Sequence, residues 1–441
     1  MRRHLALFGI AAVLLGGCDT VNGWFGEGDA PPLPGTRIAV IQGNSGLTAD
    51  PALAGERIVL PEPYINGGWE QPGGSAAHAM YHLALGDAPR QAWSSSVGEG
   101  NDDDAAILSQ PVVVGDVVFT MDARSIVTAY RQGDGSVFWE VDLEQEDEED
   151  GFFGGGIAYE DGRLFVTTGF GMVFALDGRN GQELWRHNLK APLRAAPTAS
   201  GGRVFVLTVD NQAYALAAND GRELWDHTGI QEAANLLGTA SPAVSGGTVL
   251  IPYSSGEIYA LQVENGREIW SDSLAALRRI DPLADIAQIR GLPVIDRGIV
   301  YVVSHAGRTV AFDLRRGSRI WEREIGGTET PWAAGEFVYL LTNDSELVCL
   351  SRETGQVRWV SALPQFEDPV DKDGSITWVG PVLASDRLIV ASSIGEAYAV
   401  SPYTGEILGV IDLPSGAAVA PIVANNTLYF ISDEADIVAL R

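Results

Sequence analysis

Cysteine is almost missing from this chain: Cys18 and Cys349 are the only two in 441 residues. With one of them close to the N-terminus, no internal disulfide framework is available, so the fold must rest on packing and hydrogen bonds. Positive charge is scarce as well, with 29 Lys and Arg against 58 Asp and Glu, a formal net charge of −29. Such a surface repels phosphate backbones and anionic lipid, which excludes nucleic acid as an expected partner and charge-driven membrane binding as a mode of attachment. Long hydrophobic runs are absent too. The one conspicuous run, Leu5 to Leu15, is far short of the roughly 20 residues that a spanning helix needs.

That short run has a context. Arg2-Arg3 precede it and Leu15-Gly16-Gly17-Cys18 follow, the order of a secretory signal. Small residues directly before a Cys resemble a lipoprotein cleavage site, which makes Cys18 the expected lipidated first residue of the mature chain. Residues 1–18 are therefore expected to be a signal peptide, and residues 19–75 a flexible linker and lead-in. Gly26-Glu27-Gly28-Asp29-Ala30-Pro31-Pro32-Leu33-Pro34-Gly35 has the composition of a spacer.

What is abundant is glycine, at 52 residues, within a chain that is 46% hydrophobic. From residue 76 onward the glycines punctuate a repeat. Arg203-Val204-Phe205-Val206-Leu207, Tyr214-Ala215-Leu216 and Asp220-Gly221-Arg222-Glu223-Leu224-Trp225 match Thr248-Val249-Leu250-Ile251, Tyr259-Ala260-Leu261 and Asn265-Gly266-Arg267-Glu268-Ile269-Trp270. Each unit gives four short β-rich runs, and the Asx-Gly pair before the fourth suits a tight hairpin turn. The terminal Trp recurs at 139, 185, 225, 270, 321 and 359, at intervals of 38 to 51 residues, the length of one propeller blade. A seventh unit keeps Tyr398-Ala399-Val400 and Thr404-Gly405-Glu406 but is read with Leu408 where Trp is expected. The chain ends on a unit of only three strands, and Gln91-Ala92-Trp93-Ser94-Ser95 offers the fourth.

The expected fold over residues 76–441 is thus all-β: an eight-bladed propeller of four-stranded antiparallel blades, its ring closed by pairing the N-terminal with the C-terminal strand. Closure removes two raw sheet edges. The Trp is expected to wedge neighbouring blades apart, and the small Ala before Leu to suit the crowded inner part of each blade. Cys349 stands where sibling repeats have Ala and reads as a small core residue.

Sites of chemistry are few. His78-Ala79-Met80-Tyr81-His82 has a spacing that a helix would turn toward one metal ion, but no general-base Glu lies between the histidines and no third ligand is evident. His187 and His227 each follow a repeat Trp by two residues and read as one repeated strand position. The acidic runs Asn101 to Asp104 and Glu144 to Asp150 lack the spacing of a calcium loop and read as solvated. No nucleophile elbow, phosphate loop or paired-Cys motif occurs. The residues therefore suggest a scaffold that needs no cofactor.

The unit Ala175-Leu176-Asp177-Gly178-Arg179-Asn180-Gly181-Gln182-Glu183-Leu184-Trp185 resembles the tryptophan-docking repeat of pyrroloquinoline-quinone-like propellers, and the resemblance covers about residues 90 to 441. Two functional branches share that repeat. The lead-in ending Gly67-Gly68-Trp69-Glu70-Gln71-Pro72-Gly73-Gly74, the Cys18 motif and the unit count resemble the B-lipoprotein family of the outer-membrane β-barrel assembly machinery. The alternative is a quinone-dependent oxidoreductase, whose usual adjacent cysteines are missing here; a scaffold of another envelope complex is a third option. The first resemblance implies a non-enzymatic, lipid-anchored protein on the periplasmic face of the outer membrane. Its partners would be the periplasmic domains of the central barrel-insertion protein and unfolded outer-membrane proteins. Asp19 after Cys18 resembles an inner-membrane retention signal and leaves that membrane as the other option.

The resemblance also implies contact loops. One family loop, Leu-Ser-Leu-Arg-Gly, corresponds to Ala234-Asn235-Leu236-Leu237-Gly238, where the Arg is absent. A second, Leu-Ser-Asp-Val-Asp, corresponds to Leu283-Ala284-Asp285-Ile286-Ala287, where only the first Asp is kept. The long interval between Trp270 and Trp321 marks the region around Leu277 to Pro282 as an insertion, a natural contact site in a repeat protein. Leu236, Leu237, Arg279, Asp281, Asp285 and Ile286 are accordingly the expected partner-binding residues.

Overall fold

The structure is a computed structural model and describes residues 46–102, 105–143, 154–232, 236–275 and 287–441. Its sheets form a ring of eight four-stranded antiparallel blades. Blade 1 comprises Val112–Val114, Val117–Met121, Ile126–Arg131 and Val137–Asp142, and blades 2 to 7 repeat this meander in sequence order. Blade 8 takes Ile422–Ala424, Thr427–Ile431 and Asp436–Leu440 from the end of the chain and Gln91–Ser96 from its beginning. Trp93 pairs with Ala439 and Ser96 with Asp436, so the ring closes through the strand that the sequence offered.

Seven of the eight blades are held to the next by the repeat Trp. The Trp139, Trp185, Trp225 and Trp270 indoles donate to the carbonyls of Gly178, Ala218, Val263 and Leu314 in the following blade, at 2.7–3.2 Å. Trp321, Trp359 and Trp93 do the same to Arg352, Pro402 and Gln132. Each ring rests on the turn glycine of that blade. At Gly266, φ is +69° and an added Cβ would come within 2.7 Å of the Trp225 ring. The turn thus needs glycine twice over, for its left-handed backbone and for the close approach.

Two expectations about this repeat are corrected. The repeated Ala is not at the inner end of the blade but directly across from the Trp, on the third strand, as in Ala215 opposite Trp225 and Ala260 opposite Trp270. A small side chain there leaves room for the indole on the adjoining strand. In blade 7 the residue opposite Ala399 is Gly409, so Gly409 and not Leu408 holds the Trp position. Cys349 faces Trp359 in the same way and is fully buried, which pushes its thiol well above the usual range.

Because strands alternate in direction, the ring has two unlike ends. Turns between the first and second strands and between the third and fourth strands lie on one end, here called the turn face. Connections between blades lie on the other, the loop face. Residues 46–89 belong to the turn face. Asp50 N–H bonds to the Val357 carbonyl at the edge of blade 6, and Ile58 and Leu60 join the core of blades 6 to 8. The segment then makes a full circuit of the hub. Asn66 bonds to Val423 in blade 8, Gly68–Trp69 pair with Val113 and Val114 in blade 1, and the Glu70 carbonyl accepts from Tyr159 in blade 2. Gln71 accepts from Ala199 in blade 3, Ala76 from Val244 in blade 4, and Ala77 from Ile295 in blade 5. Tyr81 accepts from the Trp332 indole of blade 6, and Leu83 exchanges bonds with Leu383 and Ser385 of blade 7. The inner strands would otherwise face the channel with unpaired backbone groups; this inner belt pairs some in seven blades and takes the Trp332 indole in blade 6.

Candidate partner-binding face

The belt decides what the centre of the ring offers. With residues 66–83 across the turn-face end, the channel becomes a funnel opening on the loop face, with Pro72 among its lining. Ends of interblade connections form its mouth. Arg194 and Arg290 reach this mouth, as does Glu329, whose carboxylate binds the Arg290 guanidinium at 2.9 Å. The second carboxylate oxygen of Glu329 accepts from the Gly380 N–H of blade 7.

Two neighbouring connections on this face are locked together. Gln288 is fully buried; its amide oxygen accepts from Leu236 N–H at 2.6 Å and its amide nitrogen donates to the Gly238 carbonyl at 2.7 Å. Arg290 Nε donates to the Leu237 carbonyl at 3.1 Å while its other arm holds Glu329. Gly238 takes φ of +78°, turning the chain back toward blade 4. These bonds hold the Leu237 backbone while the residue stays 42% exposed. A rigid loop that presents an apolar residue to solvent binds with little ordering cost.

The histidine spacing does not make a metal site. His78 and Tyr81 both have positive φ, which breaks the helix that the i,i+4 geometry requires. His78 Nδ1 bonds to the Pro293 carbonyl at 2.8 Å, and burial holds its pKa down to about 4. His82 Nδ1 bonds to the Pro61 carbonyl and its Nε2 accepts from Asp386 N–H. Both histidines are fasteners of the belt. His187 and His227 occupy one equivalent position on the outer strands of blades 2 and 3. Among the described residues no group of three His, Cys, Asp or Glu side chains could hold a metal ion, and no helix is long and apolar enough to cross a membrane.

A family profile described as "Outer membrane protein assembly factor BamB" matches residues 123–361, more than half of the chain. The chain belongs to this family.

BamB of Salmonella typhimurium is 27% identical over 360 residues, covering 80% of this chain and 88% of the relative. BamB of Escherichia coli is 26% identical over 345 residues, covering 77% and 86%. The crystal structure of BamB from Moraxella catarrhalis superimposes with a TM-score of 0.69 at 22% identity, over 80% of this chain and 99% of that one. A europium-containing methanol dehydrogenase has a TM-score of 0.65 at 16% identity, over 82% of this chain and 89% of that one, which shows a common fold.

Of the residues expected to bind a partner, Leu236 and Leu237 lie on the loop face beside the funnel mouth. Arg279, Asp281, Asp285 and Ile286 lie outside the described residues, as do Cys18, the Gly26–Gly35 stretch and the acidic run 144–150. Sequence reasoning missed Gln288, Arg290 and Glu329. The BamB-type loop lacks its Arg at position 237, and the structure puts the Arg290 guanidinium against that residue's carbonyl from the next connection. A signal for it existed: Arg290-Gly291-Leu292-Pro293 opens blade 5 just as Ala-Pro or Ser-Pro opens its siblings.

Proposed function

We propose that this chain is a non-catalytic periplasmic scaffold of the outer-membrane β-barrel assembly complex, anchored by lipid on Cys18. In this reading the loop face holds the periplasmic domains of the central barrel-insertion protein. Contact runs through Leu236 and Leu237 together with Arg279, Asp281, Asp285 and Ile286 of the neighbouring connection. The observation that carries the reading is the locked pair of connections on the loop face, in a chain of the BamB family. Unfolded outer-membrane proteins are the second class of partner. A propeller suits both tasks, since its rigid core positions loops and its blade rims carry strands with one free edge.

The test is retention of the barrel-insertion protein from gently solubilised envelopes, with the lipidated protein as bait. Wild type should retain it, and Leu236→Ala/Asp285→Ala should lose it. Equal retention by both would sink the site assignment while keeping the function. No retention by wild type would sink the function itself. Titration with pyrroloquinoline quinone and calcium should leave the absorbance spectrum unchanged; a shifted quinone band would favour the oxidoreductase branch instead.

A further inference from the structure

We infer that the outer strand of blade 7, Ile407–Asp412, is a strand-addition site for an extended apolar segment carrying an aromatic side chain. It rests on the proposed role in barrel assembly and says where an unfolded barrel strand would bind.

Seven of the eight seams between blades are filled by a docked Trp, and the seam from blade 7 to blade 8 is the exception. Its Trp position is Gly409, where an added Cβ would meet nothing within 4 Å. The vacancy has a topological cause. Every other seam docks its Trp on the turn between the third and fourth strands of the next blade. Blade 8 draws those two strands, Asp436–Leu440 and Gln91–Ser96, from opposite ends of the sequence, so no Asx-Gly turn joins them.

The same strand is unguarded. Natural sheets protect free edges with charge or cover. The outer strands of blades 2 to 5 carry Glu183 and Arg186, Glu223 and Asp226, Glu268 and Asp272, and Arg319 and Glu322. Blade 1 carries Glu140, and in blade 6 the Val357 carbonyl is taken by Asp50. Blade 8 shows a row of serines. In blade 7 the five residues Ile407 to Ile411 hold no polar side chain, and Ile407, Leu408 and Val410 are exposed by 47%, 56% and 48%. Among the described residues this strand pairs on one side only.

Charge selects the occupant. Glu406 and Asp412 flank the apolar run in a chain of net charge −29, so two copies pairing here would set acid against acid. A transmembrane β-strand before insertion has the opposite qualities: about ten residues with alternating apolar side chains and aromatic residues near its ends. Its backbone would extend the blade 7 ladder, and an aromatic ring would enter the open space at Gly409.

The experiment measures anisotropy of a labelled peptide of about ten residues, alternating Val or Leu with Thr or Ser and carrying one Trp. Full-length wild type should bind it. Val410→Lys, which guards the edge, and Gly409→Trp, which fills the vacancy, should each weaken binding about tenfold or more. Leu184→Lys, on the guarded edge of blade 2, should leave binding unchanged, and thermal unfolding of each variant checks that it is folded. No peptide binding by wild type, or equal binding by folded Val410→Lys and Gly409→Trp, overturns the inference. So does a wild-type dimer in sedimentation that Val410→Lys abolishes, which would give the edge to a second copy. Retention of the barrel-insertion protein by both blade 7 variants keeps the outcome separate from that of the loop face.

Discussion

The two ends of the ring are built by different rules. On the turn face the connections are short, rich in left-handed glycines, and fastened by residues 46–89 and by the docked indoles. On the loop face the connections are long and unequal, and the funnel stays open. One end uses its residues to hold eight blades in a circle, while the other is free to vary because the circle is already held. Substitutions should therefore divide into those that cost stability and those that cost binding.

The largest loss is expected at the hub. Trp69 is 1% exposed and stacks on Trp332 with ring centroids 6.4 Å apart. Trp69→Ala should cost about 3–5 kcal/mol in denaturant unfolding, as should Trp225→Ala at a seam. A loss well under 1 kcal/mol at Trp69 would mean that the belt merely lies on the ring. His78 gives a pH-dependent version. Its pKa is held at about 4, below the ordinary 6.5, so the native state resists a proton that the unfolded chain accepts. Its contribution is complete above pH 6.5 and fades as pH falls toward 4, by roughly 3 kcal/mol in all. The stability curves of wild type and His78→Gln should converge over that window; parallel curves would remove His78 from the account.

A smaller effect is expected at Gly266, where left-handed backbone and the Trp225 ring both oppose a side chain. Gly266→Ala should cost about 1–3 kcal/mol, seen as a lowered Tm. The smallest stability effect belongs to the loop face. Leu237→Ala should stay within about 0.5 kcal/mol of wild type while reducing retention of the barrel-insertion protein. If it unfolded the protein instead, the division between the two ends would collapse.

The blades were legible because the same chemistry is written many times. Asx-Gly followed four residues after its Gly by Trp marks a turn, a docking partner and a wedge together. Counting those four residues in blade 7 leads from Gly405 to Gly409, so the vacant seam is written in the sequence, masked by the large Leu408 beside it. The path of residues 46–89 was not legible. It makes no repeat with itself, and it binds mostly through backbone groups and through Asn66, Gln71 and His78, whose partners lie more than a hundred residues away. Much the same holds for Gln288 and Arg290, which tie one connection to the previous one through its backbone.

The belt also has a mechanical meaning. A pull on the chain ahead of residue 46 reaches the hub before it reaches Gln91–Ser96, the strand that closes the ring. Between the two, the load meets contacts to all eight inner strands. A tether attached directly to the closing strand would open the ring one bond at a time, like a zip. With the lipid anchor proposed on Cys18, tension entering ahead of residue 46 would load the hub before it reached the closing seam.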